Sequence, residues 1–183
     1  MIFFRKAVLI IHGFAGGTYD EEFLANYLEK DWKFDVYSFT LPSHEKRKIS
    51  SVKYEDWIKS CEHMIDRLTS YGYRTIYIVG HSMGGILATY IANKYPCVKK
   101  LVLVAPAFEC FARDNYGAID TIKSGIRLIQ ENETEEVIAR FRKISVSSIS
   151  EFNKLRKKYK DEYLNIKIPT LILQGDNDTV VPP

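Results

Sequence analysis

The chain has 183 residues, enough for one domain with a sizeable core, and 46% hydrophobic against 27% charged residues argues against disorder. Its formal net charge of +3 is too small to imply a nucleic-acid or membrane-surface partner. Three cysteines (Cys61, Cys97 and Cys110) are odd in number, widely spaced and without a CxxC pair, so they read as reduced thiols of a cytoplasmic protein and not as a disulfide frame or zinc site.

At the start, MIFFRKAVLIIHG is an apolar stretch interrupted by two basic residues, with no small-residue cleavage site after it. No secretory leader is expected, and no run reaches the length of a membrane span. Residues 7–11 are the first of five short apolar runs rich in β-branched residues; the others fall at 34–38, 75–79, 100–104 and 169–173. Each is continuous and not alternating, as expected for strands covered on both faces. Helical patterns lie between them, so the chain predicts parallel βαβ units with right-handed crossovers and helices on both sides of the sheet.

Directly after the first run comes HGFAGG, residues 12–17. Glycines there let the backbone swing toward a neighbouring strand, and N–H groups held in place stabilise a developing oxyanion. A phosphate-binding loop would need G-x-G-x-x-G or a GK[ST] ending, and neither is present. His12 reads as a residue that bonds within this loop. Phe23, Leu24, Tyr27 and Leu28 then form an apolar helical stripe. After the second run, the loop LPSHEKRK carries His44. Tyr54, Trp57, Ile58, Cys61, Ile65 and Leu68 recur at three- and four-residue steps, one face of a helix of about four or five turns. His63 falls on its polar side.

The third run leads into Gly80-His81-Ser82-Met83-Gly84, a G-x-S-x-G match at a strand-to-helix junction. That context separates it from a plain glycine-rich turn. A serine there must adopt strained backbone angles, the glycines admit close approach of strand and helix, and Oγ projects above the sheet. Beneath it, the helix start adds N–H donors and a positive dipole end. The N–H groups of Phe14 and Met83 are assigned as the two oxyanion donors.

Between the fourth and fifth runs the alternation fails. Ile119, Ile122, Ile126 and Ile129 form one helical stripe, Val137, Ile138 and Phe141 a second, and Ile149, Phe152, Leu155 and Tyr159 a third. A crossover needs only one helix, so three predict a cap over the carboxyl edge of the sheet, where ligands bind in open α/β sheets. The domain reading is a core of residues 1–107 and 166–183 with a helical cap at 108–165. The last run enters Gly175-Asp176-Asn177-Asp178. An acid just past a strand's carboxyl end is placed to hold an imidazole. Two aspartates compete: Asp176 suits the turn itself, and Asp178, ahead of an apolar Val-Val pair, is assigned the role.

With VLIIHGFAGG, IYIVGHSMGGILATYIA, KLVLVAPAF and PTLILQGDNDTVVPP in this order, the chain resembles the α/β-hydrolase fold, in particular small bacterial carboxylesterases and monoacylglycerol lipases. The resemblance implies an α/β sheet ordered 2-1-3-4-5, a helical cap, a nucleophile at Ser82, an acid at Asp178 and oxyanion donors at Phe14 and Met83. It also implies a histidine some tens of residues beyond the acid, followed by a last strand and helix. This chain stops five residues after Asp178. None of its four histidines fits the missing role, His44 being the least excluded, so a carboxyl-terminally truncated hydrolase, nearly inactive alone, is expected.

Its chemistry is then hydrolysis of small-molecule carboxylic esters with short or medium acyl chains, with Phe14, Phe108 and Phe111 expected to line the acyl pocket. A thioesterase, amidase or acyltransferase on the same scaffold, or a non-catalytic relic or subunit of a split enzyme, are the rival readings. Neither a cofactor nor a metal is expected. Without its neighbour, the fifth strand predicts an uncovered edge open to self-association.

Overall fold

A computed structural model of the chain describes residues 5–109, 135–178 and 180–181. Five strands, β1 (Lys6–Ile11), β2 (Phe34–Ser38), β3 (Ile76–His81), β4 (Val98–Val104) and β5 (Thr170–Leu173), pair in the order β2-β1-β3-β4-β5, every pair parallel. Each expected run is a strand, with boundaries displaced by at most two residues. The described helices are α1 (Glu22–Leu28), α2 (Tyr54–Ser70), α3 (Met83–Lys94), α4 (Glu135–Lys143) and α5 (Val146–Tyr159), with 3-10 turns at Thr18–Glu21 and Lys160–Asn165.

The central strands are apolar throughout because both their faces are covered. Ala7, Leu9 and Ile11 enter the larger core with Ile76, Ile78 and Leu103, under α2 and α3. Val8, Ile10 and Val79 point the other way, where Leu24, Ala25 and Leu28 of α1 pack on them. The predicted α2 stripe is the buried one: Trp57, Ile58, Cys61, Ile65 and Leu68. Burial pushes the Cys61 thiol above its ordinary range, so it is inert packing.

Two expectations need correction. The α1 stripe is split, since Leu24 and Leu28 face the sheet while Phe23 and Tyr27 are exposed. A helix of two turns offers one i,i+4 row to a flat sheet face, and the adjacent row turns outward. The fifth run is not covered either. Leu171, Ile172 and Leu173 are 54%, 58% and 49% exposed at the open edge of the sheet.

In the segment between β4 and β5, α5 buries Ile149, Phe152 and Leu155 and packs on α2 and α3. Its start is tied down: Ser145 Oγ accepts from Ser148 N at 3.1 Å and donates to Ile49 O at 2.6 Å. Cys110, Phe111 and the stripe of Ile119, Ile122, Ile126 and Ile129 lie outside the described residues. No described helix is long and apolar enough to cross a membrane.

Candidate active site

β3 hands over to α3 at Ser82, whose φ of 53° and ψ of −117° fall where an L-residue rarely sits. Such a conformation costs on the order of 1–3 kcal/mol and survives only when its surroundings impose it. Three hydrogen bonds do so. Ser82 N donates to Val104 O at 2.9 Å, and Ser82 O accepts from Gly85 N at 2.9 Å and Ala107 N at 3.1 Å. Ser82 itself is half-buried, while Met83 through Thr89 behind it are buried.

The glycines explain how the elbow closes. A Cβ on Gly84 would overlap the Ile11 carbonyl and come within 2.7 Å of His12 O; one on Gly80 would stand 2.5 Å from Gly84 O. These neighbours are backbone and cannot rotate away. Gly84→Ala is therefore expected to cost about 1–3 kcal/mol, read as a melting temperature lower by about 2–12 °C. Unchanged thermal unfolding would show that the junction has room to spare.

HGFAGG lies against this elbow: a Cβ on Gly13 would be 3.1 Å from Ser82 Cβ. The loop is tight, with Gly16 N donating to Gly13 O at 3.2 Å and Ala15 at a φ of 59°. Among the described residues, neither Phe14 N nor Met83 N has a hydrogen-bond acceptor. The Phe14 ring points into an aromatic cluster, stacked on Phe152 at 5.1 Å and edge-on to Trp57 and His44 at 6.2 and 6.0 Å. Phe108, just past β4, is half-buried against Tyr163 at 5.2 Å.

Asp178 lies beyond β5, two strands from β3 and so about 10 Å across the sheet. Its Oδ1 accepts from Val180 N and Val181 N, each at 2.9 Å, and its Oδ2 from Gln174 Nε2 at 3.2 Å. Asp176 sits exposed at the tip of the turn. Of the two competing acids, Asp178 is the half-buried, oriented one.

All four histidines are described, and each is otherwise engaged or remote. Leu41 N donates to His12 Nε2 at 2.9 Å, which puts the ring proton on Nδ1, from where it reaches Gly13 O at 2.7 Å. Both nitrogens are spent on holding the HGFAGG loop. His81 Nδ1 donates to Glu21 Oε1 at 2.8 Å. His63 is exposed on α2. His44 is 1% exposed, its Nδ1 meeting Pro42 O at 3.2 Å and its Nε2 buried without a partner. Desolvation, reinforced by the neighbouring His12, lowers its pKa to about 4.

The sequence pattern that defines the alpha/beta hydrolase fold family matches residues 6–152. The chain belongs to this family. This α/β-hydrolase is 23% identical over 184 residues to a carboxylesterase of Bacillus subtilis (strain 168), covering 96% of the chain and 73% of that protein. It is 27% identical over 191 residues to a thermostable monoacylglycerol lipase of Bacillus sp. (strain H-257), covering 96% and 72%. Among solved structures, a metagenome-derived lipolytic enzyme superposes with a TM-score of 0.74 at 20% identity, over 98% of this chain and 75% of that one. The monoacylglycerol lipase of Paleococcus ferrophilus gives 0.70 at 19%, over 97% and 76%. At these identities the superpositions speak for the fold.

Reading the sequence did not find the Glu21–His81 pair, which forms across 60 positions. Nothing in the local pattern around Glu21 marks it as a partner for the residue before the elbow. Among the described residues, no cluster of three histidine, cysteine or acidic side chains could hold a metal ion.

Proposed function

We propose that this α/β-hydrolase acts on carboxylic esters through an acyl-serine formed on Ser82. The observation that carries the proposal is the strained elbow, which holds Ser82 at the carboxyl edge with the Gly13–Phe14 loop against it. Ser82 Oγ attacks the ester carbonyl carbon and loses its proton, and the alcohol departs with a proton. Water then attacks the acyl-serine and releases the acid. In both steps the carbonyl oxygen becomes an oxyanion, and the unengaged N–H groups of Phe14 and Met83 are the donors proposed for it. Each such donor is worth about 3–4 kcal/mol of barrier. Asp178 is the proposed orienting acid, and Phe108 and Phe111 are proposed to contact a short or medium acyl chain.

Proton transfer is the weak link. Neither Ser82 nor Asp178 has a histidine among its hydrogen-bond partners, so these 183 residues are proposed to acylate slowly and to deacylate more slowly still. Incubation with a fluorophosphonate probe, followed by peptide mass spectrometry, tests the site. The expected adduct is on Ser82, and Ser82→Ala abolishes it. Labelling that persists in Ser82→Ala, or that falls on another peptide, overturns the assignment. Adduct yields with probes of increasing acyl length then report the preferred chain, which is expected to be short or medium.

A further inference from the structure

We infer that the tip of the β2–α2 loop and the end of α4 form one cationic surface that docks on anionic lipid bilayers. The loop is clamped on both sides of its tip. Ser43 Oγ donates to Ser50 O at 2.9 Å and accepts from Ser50 N at 3.1 Å, and His44 and Ile49 are buried. Between these anchors Glu45, Lys46, Arg47 and Lys48 stand exposed. Glu45 is the one acid between Ser38 and Tyr54.

The same loop is fastened to the end of α4. Ile49 N donates to Lys143 O at 2.8 Å, Ser145 Oγ to Ile49 O at 2.6 Å, and Lys143 Nζ to His44 O at 3.5 Å. Those bonds bring the three cations of the tip to the last turn of α4, which carries Arg140, Arg142 and Lys143. The helix dipole accounts for cations at the end of α4 but not for those on the loop. Arg140 is paired with Asp20, whereas the side chains of Lys46, Arg47, Lys48 and exposed Arg142 make no hydrogen bond or ion pair among the described residues. Gathering like charges from two distant stretches opposes folding, and an anionic partner offsets that repulsion. The net charge of +3 sums over the whole chain and conceals this local excess.

Two exposed apolar side chains favour a bilayer over a nucleic acid as that partner. Val146, directly after the Ser145 that holds Ile49, is 62% exposed, and Tyr19 is 50% exposed. Lys143 Nζ lies 5.2 Å from the Tyr19 ring centre and donates to its hydroxyl at 3.0 Å. An aliphatic group and a tyrosine among cations suit the headgroup region, where amphipathic side chains sit beside lipid phosphates. A single nucleic-acid strand needs an open aromatic face for stacking, and here a cation lies over the ring. Each cation close to an anionic membrane raises partitioning about fivefold.

Flotation of the full chain with phosphatidylcholine vesicles, with and without about 30% phosphatidylglycerol, tests the inference. The four unpaired cations predict partitioning about a hundredfold stronger on the anionic vesicles at low salt, lost at about 0.5 M salt through screening. Arg47→Glu on the loop and Arg142→Glu on α4 should each weaken it at least about tenfold. Lys157→Glu, on an exposed side chain of α5, changes the net charge equally and should weaken it less than about threefold. All three side chains are exposed, so unchanged circular dichroism is expected for each variant. No binding to the anionic vesicles, indifference to Arg47→Glu or Arg142→Glu, or an equal loss in Lys157→Glu would each overturn the inference. So would a short DNA duplex that displaces the chain from the vesicles. Docking is independent of the chemistry at Ser82, and Ser82→Ala is expected to bind vesicles as the parent chain does.

Discussion

Turnover of p-nitrophenyl butyrate by the isolated chain is expected to fall about 10⁶-fold below that of a family member with its base in place. Ser82→Ala is expected to lower the remaining rate by less than about tenfold. When the group that accepts the serine proton is missing, removing the serine as well costs little more, because the residues act as a unit. What survives is the contribution of the oxyanion donors and of binding, about 10³–10⁴ over water. The result is measured as kcat/KM for both proteins, with the mass of the intact chain followed in parallel. An activated ester should add one acyl group and then stall, since the acyl-serine has a poorer leaving group than p-nitrophenolate. A rate within about a hundredfold of that family member would mean that a histidine does reach Ser82. His44→Asn and His81→Asn would identify which.

The second large effect is on stability, and its direction follows from His44. The folded chain holds this ring neutral: desolvation and the neighbouring His12 lower its pKa to about 4, and Lys143 adds to the same direction. The carbonyls of Pro42 and Leu41 oppose the shift and are outweighed. Unfolded, the ring titrates near 6.5 and takes up a proton that the folded form refuses. Stability is therefore complete above about pH 6.5, declines as the pH falls toward 4, and levels off below that. The interval corresponds to about 3 kcal/mol, or about 6–12 °C in melting temperature for a chain of this size. His12, also lowered by burial, adds to the decline. Urea unfolding at pH 7.5, 6, 5 and 4 measures it. His44→Phe fits the ring cluster of His12, Phe14 and Trp57 and should flatten the profile. An equally steep decline in that variant would assign the acid sensitivity elsewhere.

What could be read in advance was whatever depends on local pattern. The five strands and the long α2 stripe follow from continuous apolar runs and from residues recurring every three or four positions, whereas the strand order is what the resemblance to the α/β-hydrolase fold implies. The elbow was legible because Gly80 and Gly84 have no alternative: backbone occupies the space that any Cβ would need. The rest depended on contacts between distant positions. Whether Phe23 or Leu24 faces the sheet is a matter of how α1 is seated, and both rows of that helix are apolar. The Glu21–His81 bond, and the stacking of Phe14 on Phe152 from opposite ends of the chain, have no signature in either segment. His44 could be named as a candidate base, but its burial and its orphaned Nε2 arise only when the β2–α2 loop folds under Trp57.

The loop beside Ser82 is anchored to α4 and α5. Asp20, whose side chain is 3% exposed, accepts from Gly17 N at 3.2 Å and from Arg140 of α4 at 2.6 Å. Lys143 donates to Tyr19 OH at 3.0 Å, and Phe152 of α5 lies flat on Phe14. The loop against Ser82 and these two helices are thus one mechanical part. Displacing α4 would strip a shielded carboxylate of its counter-charge and tug on the backbone beside Ser82.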